Sequence, residues 1–326
     1  MNVLFVYQDD KMPSSRIRVL NLLPEIQKSG IFAEALVCPK NISEKISLFK
    51  KIRRFDVVFL QKKLLSAIEA NLFKIFSGKL IFDFDDAIYY RDDSHPSFKS
   101  KSRYFNFKNI VRKAELVVAG NRILSDYAKQ FNEHVVIVPS AVETRNIPVK
   151  NSGTDNDKII IGWIGGKGNL RHLEMLSDTF QKLAKKYEIQ VSIICNDSIE
   201  IPGVKTNFIP WKLETQGKEI AQFDIGVMPL PDNKWTQGKC GYKALQYMAA
   251  AVPPVVSNVG ANKDIVEHGK EGFVVSSLDD FYLAIETLIK NKELRNEMGL
   301  NARHKVENQF SVCVVAKQLA DILRSL

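Results

Sequence analysis

The chain has 326 residues, 45% of them hydrophobic and 25% charged, which is enough to bury the cores of two α/β domains and argues against disordered and collagen-like classes. Its four cysteines, Cys38, Cys195, Cys240 and Cys313, are far apart with no CxxC pair, which argues against a disulfide framework or structural zinc and for reduced thiols in a cytosol. The net charge of +9 lies wholly in the first half: residues 1–150 carry 25 Lys and Arg against 16 Asp and Glu, whereas residues 151–326 carry 21 of each.

Residues 2–7, NVLFVY, are apolar, but Asp9 and Asp10 follow at once, so the segment reads as a first strand and not a membrane span. Ser14-Ser15 offers a helix cap, and Gly30 is a natural stop for the segment that follows. Further strands are expected at 32–37, 56–61, 79–84, 116–120 and 135–139, with helices between them. Two basic stretches interrupt this pattern, residues 45–54 and 98–108, the second interleaved with Phe98, Tyr104, Phe105 and Phe107. Solvated helix faces, an anionic membrane surface or lipid-phosphate site, and nucleic acid all suit such charge. No helix-turn-helix, finger or RNA-binding signature supports the last.

Residues 144–157, TRNIPVKNSGTDND, lack apolar periodicity and read as a linker, which sets the expected domain boundary at 150/151. The strand pattern then restarts at 158–164, 191–196, 206–211, 224–230, 253–259 and 272–275, with helices near 170–187 and 242–250 and three more closing the chain. Short β-rich runs alternating with helices predict two Rossmann-like domains with parallel sheets, facing one another, their ligands at the carboxyl ends of the strands.

The densest chemical signal is residues 224–275. A buried strand there leads through a polar loop with Gly238 and Gly241 into a helix starting at Tyr242, with Lys239 and Lys243 on either side. Glycines admit close approach of a ligand to the backbone, and a helix N-terminus carries partial positive charge, a combination suited to phosphate. A glycine turn with solvated lysines is the plainer alternative, and the Walker order is absent. A weaker version recurs at Gly165-Gly166-Lys167-Gly168. In the first half, Asp83, Asp85 and Asp86 crowd the carboxyl end of a strand. Such carboxylates could raise one another's pKa, orient a hydroxyl or cap the next helix. A metal is not expected, because His95 is the only His or Cys nearby.

The order and spacing of several short motifs resemble a bacterial branch of glycosyltransferase family 4, of the GT-B fold: Ser14-Ser15-Arg16, Phe82-Asp-Phe-Asp-Asp-Ala87, Ala119-Gly-Asn121, Ile161-Gly-Trp-Ile-Gly165, Gly238-Lys-Cys-Gly-Tyr-Lys243, Gln246-Tyr-Met-Ala249 and Val259-Gly-Ala-Asn262. The resemblance implies an acceptor domain over 1–150, a nucleotide-sugar domain over 151–309 and a C-terminal helix, 310–326, that crosses back. It implies a retaining transfer from a nucleotide diphosphate sugar to a glycan or lipid-linked acceptor, in surface polysaccharide synthesis, with no cofactor and no metal. The setting would be the cytoplasm or the inner face of the cytoplasmic membrane, and no nucleic acid partner is expected.

On the same basis Lys239, Lys243, Asp85 and Asp86 are the expected catalytic residues. Gly165, Gly166, Lys167, Trp211, Gly238, Cys240, Gly241, Tyr242 and Gln246 are expected at the donor, and Ser14, Ser15 and Arg16 on the acceptor or phosphate side. Two departures stand out. Family members carry two glutamates with seven residues between them where this chain has Gly238 and Gln246, and an Arg used on the diphosphate is replaced by Trp163. The absence of both glutamates motivates one other reading, a GT-B nucleotide-sugar-binding or assembly protein with little or no turnover, and a GT-B nucleotide-sugar epimerase is a further alternative.

Overall fold

The computed structural model describes residues 1–150 and 158–326; residues 151–157, the second part of the expected linker, lie outside them. The chain forms two compact units. Unit 1 comprises Met1–Ala141, Asn233–Cys240 and Phe310–Leu326, and unit 2 comprises Val142–Asp232 and Gly241–Gln309.

Unit 1 is built on a six-stranded parallel sheet: β1 (Asn2–Tyr7), β2 (Phe32–Val37), β3 (Val57–Gln61), β4 (Lys79–Phe84), β5 (Leu116–Ala119) and β6 (Val135–Ile137), in the order β2-β1-β3-β4-β5-β6. Its strands are runs of Val, Leu, Ile and Phe because helices cover both faces. On one face Leu48, Ile52, Phe73, Phe107 and Ile110 pack against Leu4, Leu60, Phe82 and Phe84. On the other, Val19, Leu22 and Ile26 join Val315, Leu319 and Leu323 of the C-terminal helix Val312–Arg324. The helical segment after β1 ends as read, with Gly30 at φ 87°. Its start differs. Pro13 opens the first turn after Met12, while Ser14 and Ser15 lie inside it, buried, with the Ser15 hydroxyl turned to Gln61 Oε1 at 3.3 Å.

Unit 2 repeats the plan with β7 (Ile159–Ile164), β8 (Ile189–Cys195), β9 (Thr206–Pro210), β10 (Ile225–Met228), β11 (Pro254–Ser257) and β12 (Phe273–Val275), in the order β12-β11-β10-β7-β8-β9. The helix expected near 170–187 is two pieces, Leu170–Glu174 and Ser177–Ala184, broken so that Leu173, Leu176, Phe180 and Leu183 all reach the core. Residues 142–150 belong to unit 2 and are fixed there. Lys150 Nζ donates to the Phe223 carbonyl at 2.8 Å and pairs with Asp224 at 3.0 Å, and Arg303 donates to the Thr144 carbonyl at 2.8 Å.

In each sheet the strand order reverses beside the first strand, between β1 and β3 and between β7 and β10, where open α/β sheets take their ligands. Gly162, at the second switch point, permits close packing: a Cβ there would stand 1.9 Å from Cδ2 of the fully buried Phe223 ring. Gly162→Ala should therefore overpack this core and cost about 2 kcal/mol. Chemical denaturation checks this, and an unchanged midpoint would mean that the Phe223 ring moves aside freely.

Candidate active site

The unit 1 site is set by β4. Along KLIFDF the side chains alternate, so Phe82 and Phe84 stack at 5.8 Å on one face and Asp83 turns to the other. Asp83 is fully buried and taken up by Arg18, whose Nε lies 3.2 Å from Oδ2 and whose Nη2 pairs with Oδ1, while Nη1 donates to the Val138 carbonyl at 2.6 Å. Burial opposes the Arg18 charge, and Asp83 more than offsets this, so the guanidinium pKa is raised. Asp83 is thus a fixed structural carboxylate.

Asp85 and Asp86 follow in a turn. Their cation is Lys62, with Nζ 2.8 Å from Asp85 Oδ1 and paired also with Asp86 Oδ2; a second, Lys239, lies 3.0 Å from Asp86 Oδ1. Burial raises the Asp86 pKa, but Lys239 and Lys62 overcome it and hold the carboxyl well below the usual carboxylate range. The helix-cap alternative does not hold, because the next helix, Lys101–Lys113, is capped by Ser100. Lys62 is the residue that sequence reasoning missed. Gln61-Lys62-Lys63 looks like the polar end of a strand, and the available signal is only that it directly follows β3 at a switch point. Its φ of 58° is left-handed, rare for a residue with a Cβ, and its N–H donates to the Asp83 carbonyl at 2.7 Å.

Three sequence motifs meet here. Asn121 caps the helix Arg122–Ala128 through Oδ1, and its Nδ2 donates to the carbonyls of Gly238 (3.2 Å) and Lys239 (3.1 Å). The Cys240 thiol donates to the Asp85 carbonyl at 3.1 Å, and burial followed by Asp85 pushes its pKa up, leaving it inert. Gly238 and Cys240, expected at the donor, and Lys239, expected among the catalytic residues, pack within unit 1. Gly238 is required by this packing, since a Cβ would stand 2.7 Å from the Ala87 backbone nitrogen and leave a glutamate no room. Lys239 also lies over the Trp235 ring at 4.8 Å. Ser14, Ser15 and Arg16 follow β1, on the other side of the same switch point; Arg16 is half-buried.

In unit 2, β7 ends at Ile164, whose N–H donates to the Tyr247 hydroxyl at 3.2 Å, while that hydroxyl donates to the Val227 carbonyl at 3.0 Å. One buried phenol thus ties β7, β10 and the helix Tyr242–Ala249. That helix starts from Gly241, left-handed at φ 65°, where a Cβ would meet Ile265 Cδ1 at 2.3 Å. Trp163 is a buried core indole with Lys243 Nζ 5.4 Å from its ring centre, and Gly165 leaves room for both side chains. Gly166 and Gly168 border open space. Lys167 is exposed and pairs with Asp197 at 2.8 Å. Gln246 is buried, its Nε2 donating to Gln216 Oε1 at 3.1 Å, the atom that also accepts from Trp211 Nε1 at 3.1 Å. Trp211 and Gln246 are therefore brought together. Among the described residues no group of three or more His, Cys, Asp or Glu is arranged to hold a metal ion.

Two six-stranded parallel sheets, each with a polar site at its switch point, define the GT-B architecture. Residues 158–291 match the family model described as Glycosyl transferases group 1, and the two sheets have the GT-B fold. A capsular polysaccharide biosynthesis glycosyltransferase, CapM, of Staphylococcus aureus is 25% identical over 178 residues, 50% of this chain and 45% of that protein, so the chain spans less than half the length of this relative. Glucosyltransferase 3 of Streptococcus parasanguinis is 21% identical over 264 residues, 77% of this chain and 74% of that one. Among solved structures, a sucrose-phosphate synthase of Thermosynechococcus elongatus superposes with a TM-score of 0.78 at 13% identity over 100% of this chain and 98% of its own. HepE of Anabaena, solved in complex with UDP-glucose, gives 0.74 at 15% identity over 100% of both chains.

Replacing Lys62 by Met should cost on the order of 3 kcal/mol, since it leaves two largely buried carboxylates with one cation. The Asp86 contribution is present above the ordinary carboxylate pKa and is lost as pH falls through its lowered folded-state value. With Lys62 gone that folded-state value rises, so the variant should unfold in acid at a higher pH than wild type. Superimposable acid transitions would show that Lys62 does not hold these carboxylates.

Proposed function

We propose that this chain transfers a sugar from a nucleotide diphosphate to a glycan or lipid-linked acceptor, with retention at the anomeric carbon, in bacterial surface polysaccharide synthesis. The observation that carries the reading is the glycosyl transferases group 1 match over residues 158–291, on the unit whose switch point presents the Gly241–Tyr242 helix start and Lys243. The capsular polysaccharide synthesis of one relative and the UDP-glucose bound to a structure of the same fold support the same chemistry.

In this reading the diphosphate lies against the helix start, where backbone N–H groups and Lys243 stabilise the charge that grows as the C–O bond to the sugar breaks. The acceptor hydroxyl forms the new bond on the face the diphosphate leaves, and its proton passes to a phosphate oxygen of that leaving group. No enzymic nucleophile and no metal is needed. Trp211 and Gln246 bear on the nucleoside, and Lys167 adds charge at the loop. Asp86, ionised between Lys62 and Lys239, accepts hydrogen bonds from acceptor hydroxyls, with Asp85 beside it. The protein works in the cytoplasm, at the inner membrane face when the acceptor is lipid-linked. No helix among the described residues is long and apolar enough to cross a membrane.

A second reading, nucleotide-sugar binding without turnover, has one observation in its favour: Ala87 leaves no space for an acidic side chain at Gly238. Release of nucleoside diphosphate from a panel of nucleotide sugars separates the two. Release that requires an acceptor supports transfer, and binding without release supports the second reading.

Lys243→Ala should lower kcat/KM at least about tenfold in steady-state kinetics, because a charged hydrogen bond to phosphate is worth about 1.5–3 kcal/mol. Wild-type turnover in this variant would displace the phosphate from the helix start. Lys239→Ala should lose turnover and acid stability together, since it also strips Asp86 of a cation, and steady-state kinetics with acid unfolding reads both.

A further inference from the structure

One helical layer of unit 1 carries two properties that rarely coincide on a solvated surface. The helices Ile42–Ile52, Ala67–Phe76 and Lys101–Lys113 cover the same face of the sheet, their inner residues sharing one core with Leu4, Leu60 and Phe82. The first two lock through Phe49 against Phe73 and Phe76, and the third lies beside the second. Residues 42–54 hold five basic side chains against one acid, residues 101–113 five against none, and residues 67–76 one of each. The layer's net charge is therefore nine, equal to that of the entire chain.

The second property is apolar. Ile42, Ile68 and Ile75, exposed to 78%, 73% and 71%, are the most exposed large hydrophobic side chains among the described residues, and Ile46 and Phe105 add to them on the same layer. The aromatic run expected to supply this part mostly does not: Phe107 is fully buried, and Phe98 and Tyr104 are half-buried. An isoleucine held in water beside lysine and arginine gains nothing from them. Both kinds of side chain gain at a lipid interface, where apolar groups enter the headgroup boundary and cations meet lipid phosphate.

We infer that the outer face of this three-helix layer docks on an anionic lipid bilayer, with Ile42, Ile46, Ile68 and Ile75 as its inserted part. Charge complementarity with anionic headgroups, together with the interspersed exposed isoleucines, commits this face to lipid, and nucleic acid offers those isoleucines no apolar groove. The inference deepens the proposed function by placing the enzyme where a lipid-linked acceptor is found. It rests on that reading only for the identity of the acceptor; charge and exposure alone carry the surface.

The test is co-sedimentation with vesicles of phosphatidylcholine alone and of phosphatidylcholine mixed with phosphatidylglycerol. Wild type should bind the mixed vesicles and be released by salt as the charges are screened. The triple variant Ile42→Ser, Ile68→Ser, Ile75→Ser touches no core contact and should keep its melting temperature while its partition coefficient falls at least about tenfold. Lys101→Gln with Arg112→Gln should weaken binding at low salt and flatten its salt dependence. Equal binding of wild type and the triple serine variant, equal binding to both vesicle types, or preferential retention on a DNA duplex would overturn the inference. The assay reads no turnover, so a failure here leaves sugar transfer standing, and a failure of transfer leaves the membrane result standing.

Discussion

Three aspartates in four residues at the end of β4 cannot remain together in a largely buried place unless cations are brought to them, and much of unit 1 is arranged around that requirement. Arg18 comes from the helical segment after β1, Lys62 from the end of β3 and Lys239 from a segment that enters unit 1 between two stretches of unit 2. Each arrival constrains the local backbone. Lys62 adopts a left-handed conformation, Gly238 gives way to Ala87, and Gly120 makes room for the Cys240 sulfur, which would stand 2.5 Å from a Cβ there. The outcome is one carboxylate pair, Asp85 and Asp86, left at the carboxyl end of β4, next to the switch-point strand β3, with its charge balanced and its position fixed.

Unit 2 solves a different problem with fewer charges. A diphosphate carries its own negative charge, so the receiving surface should be a helix start and a loop with little acidic competition. Tyr247 ties the two strands at the switch point to the helix that begins at Tyr242, and Gly241 makes the tight entry. The cation nearest that start, Lys243, extends over the Trp163 indole, 5.4 Å from its ring centre.

The strands were legible because both faces of each parallel sheet are covered, which turns a strand into an unbroken apolar run; NVLFVY, FAEALV and KLIFDF end where the sequence places them. Motifs were legible as separate words but not as a sentence. Ala119-Gly-Asn121, Asp85-Asp86 and Gly238-Lys-Cys240 read as three features, and only the fold shows Asn121 and Cys240 joining them. Lys62 was invisible because its partners are set by backbone conformation and not by spacing. Arg18 was invisible for a simpler reason, that its partner Asp83 is 65 residues away. Ser14-Ser15 misled as a cap because Pro13 already opens that turn. The aromatics at 98–108 misled because helical periodicity turns Phe107 into the core.

The proposed transfer requires unit 2 to take the nucleotide diphosphate. Hydrogen exchange measured by mass spectrometry, with and without a series of nucleoside diphosphates, tests this directly, because binding slows local opening where the ligand sits. Exchange should slow over residues 162–170 and 241–250, with the rest of the chain little changed. Slowing confined to residues 1–141 would contradict that requirement.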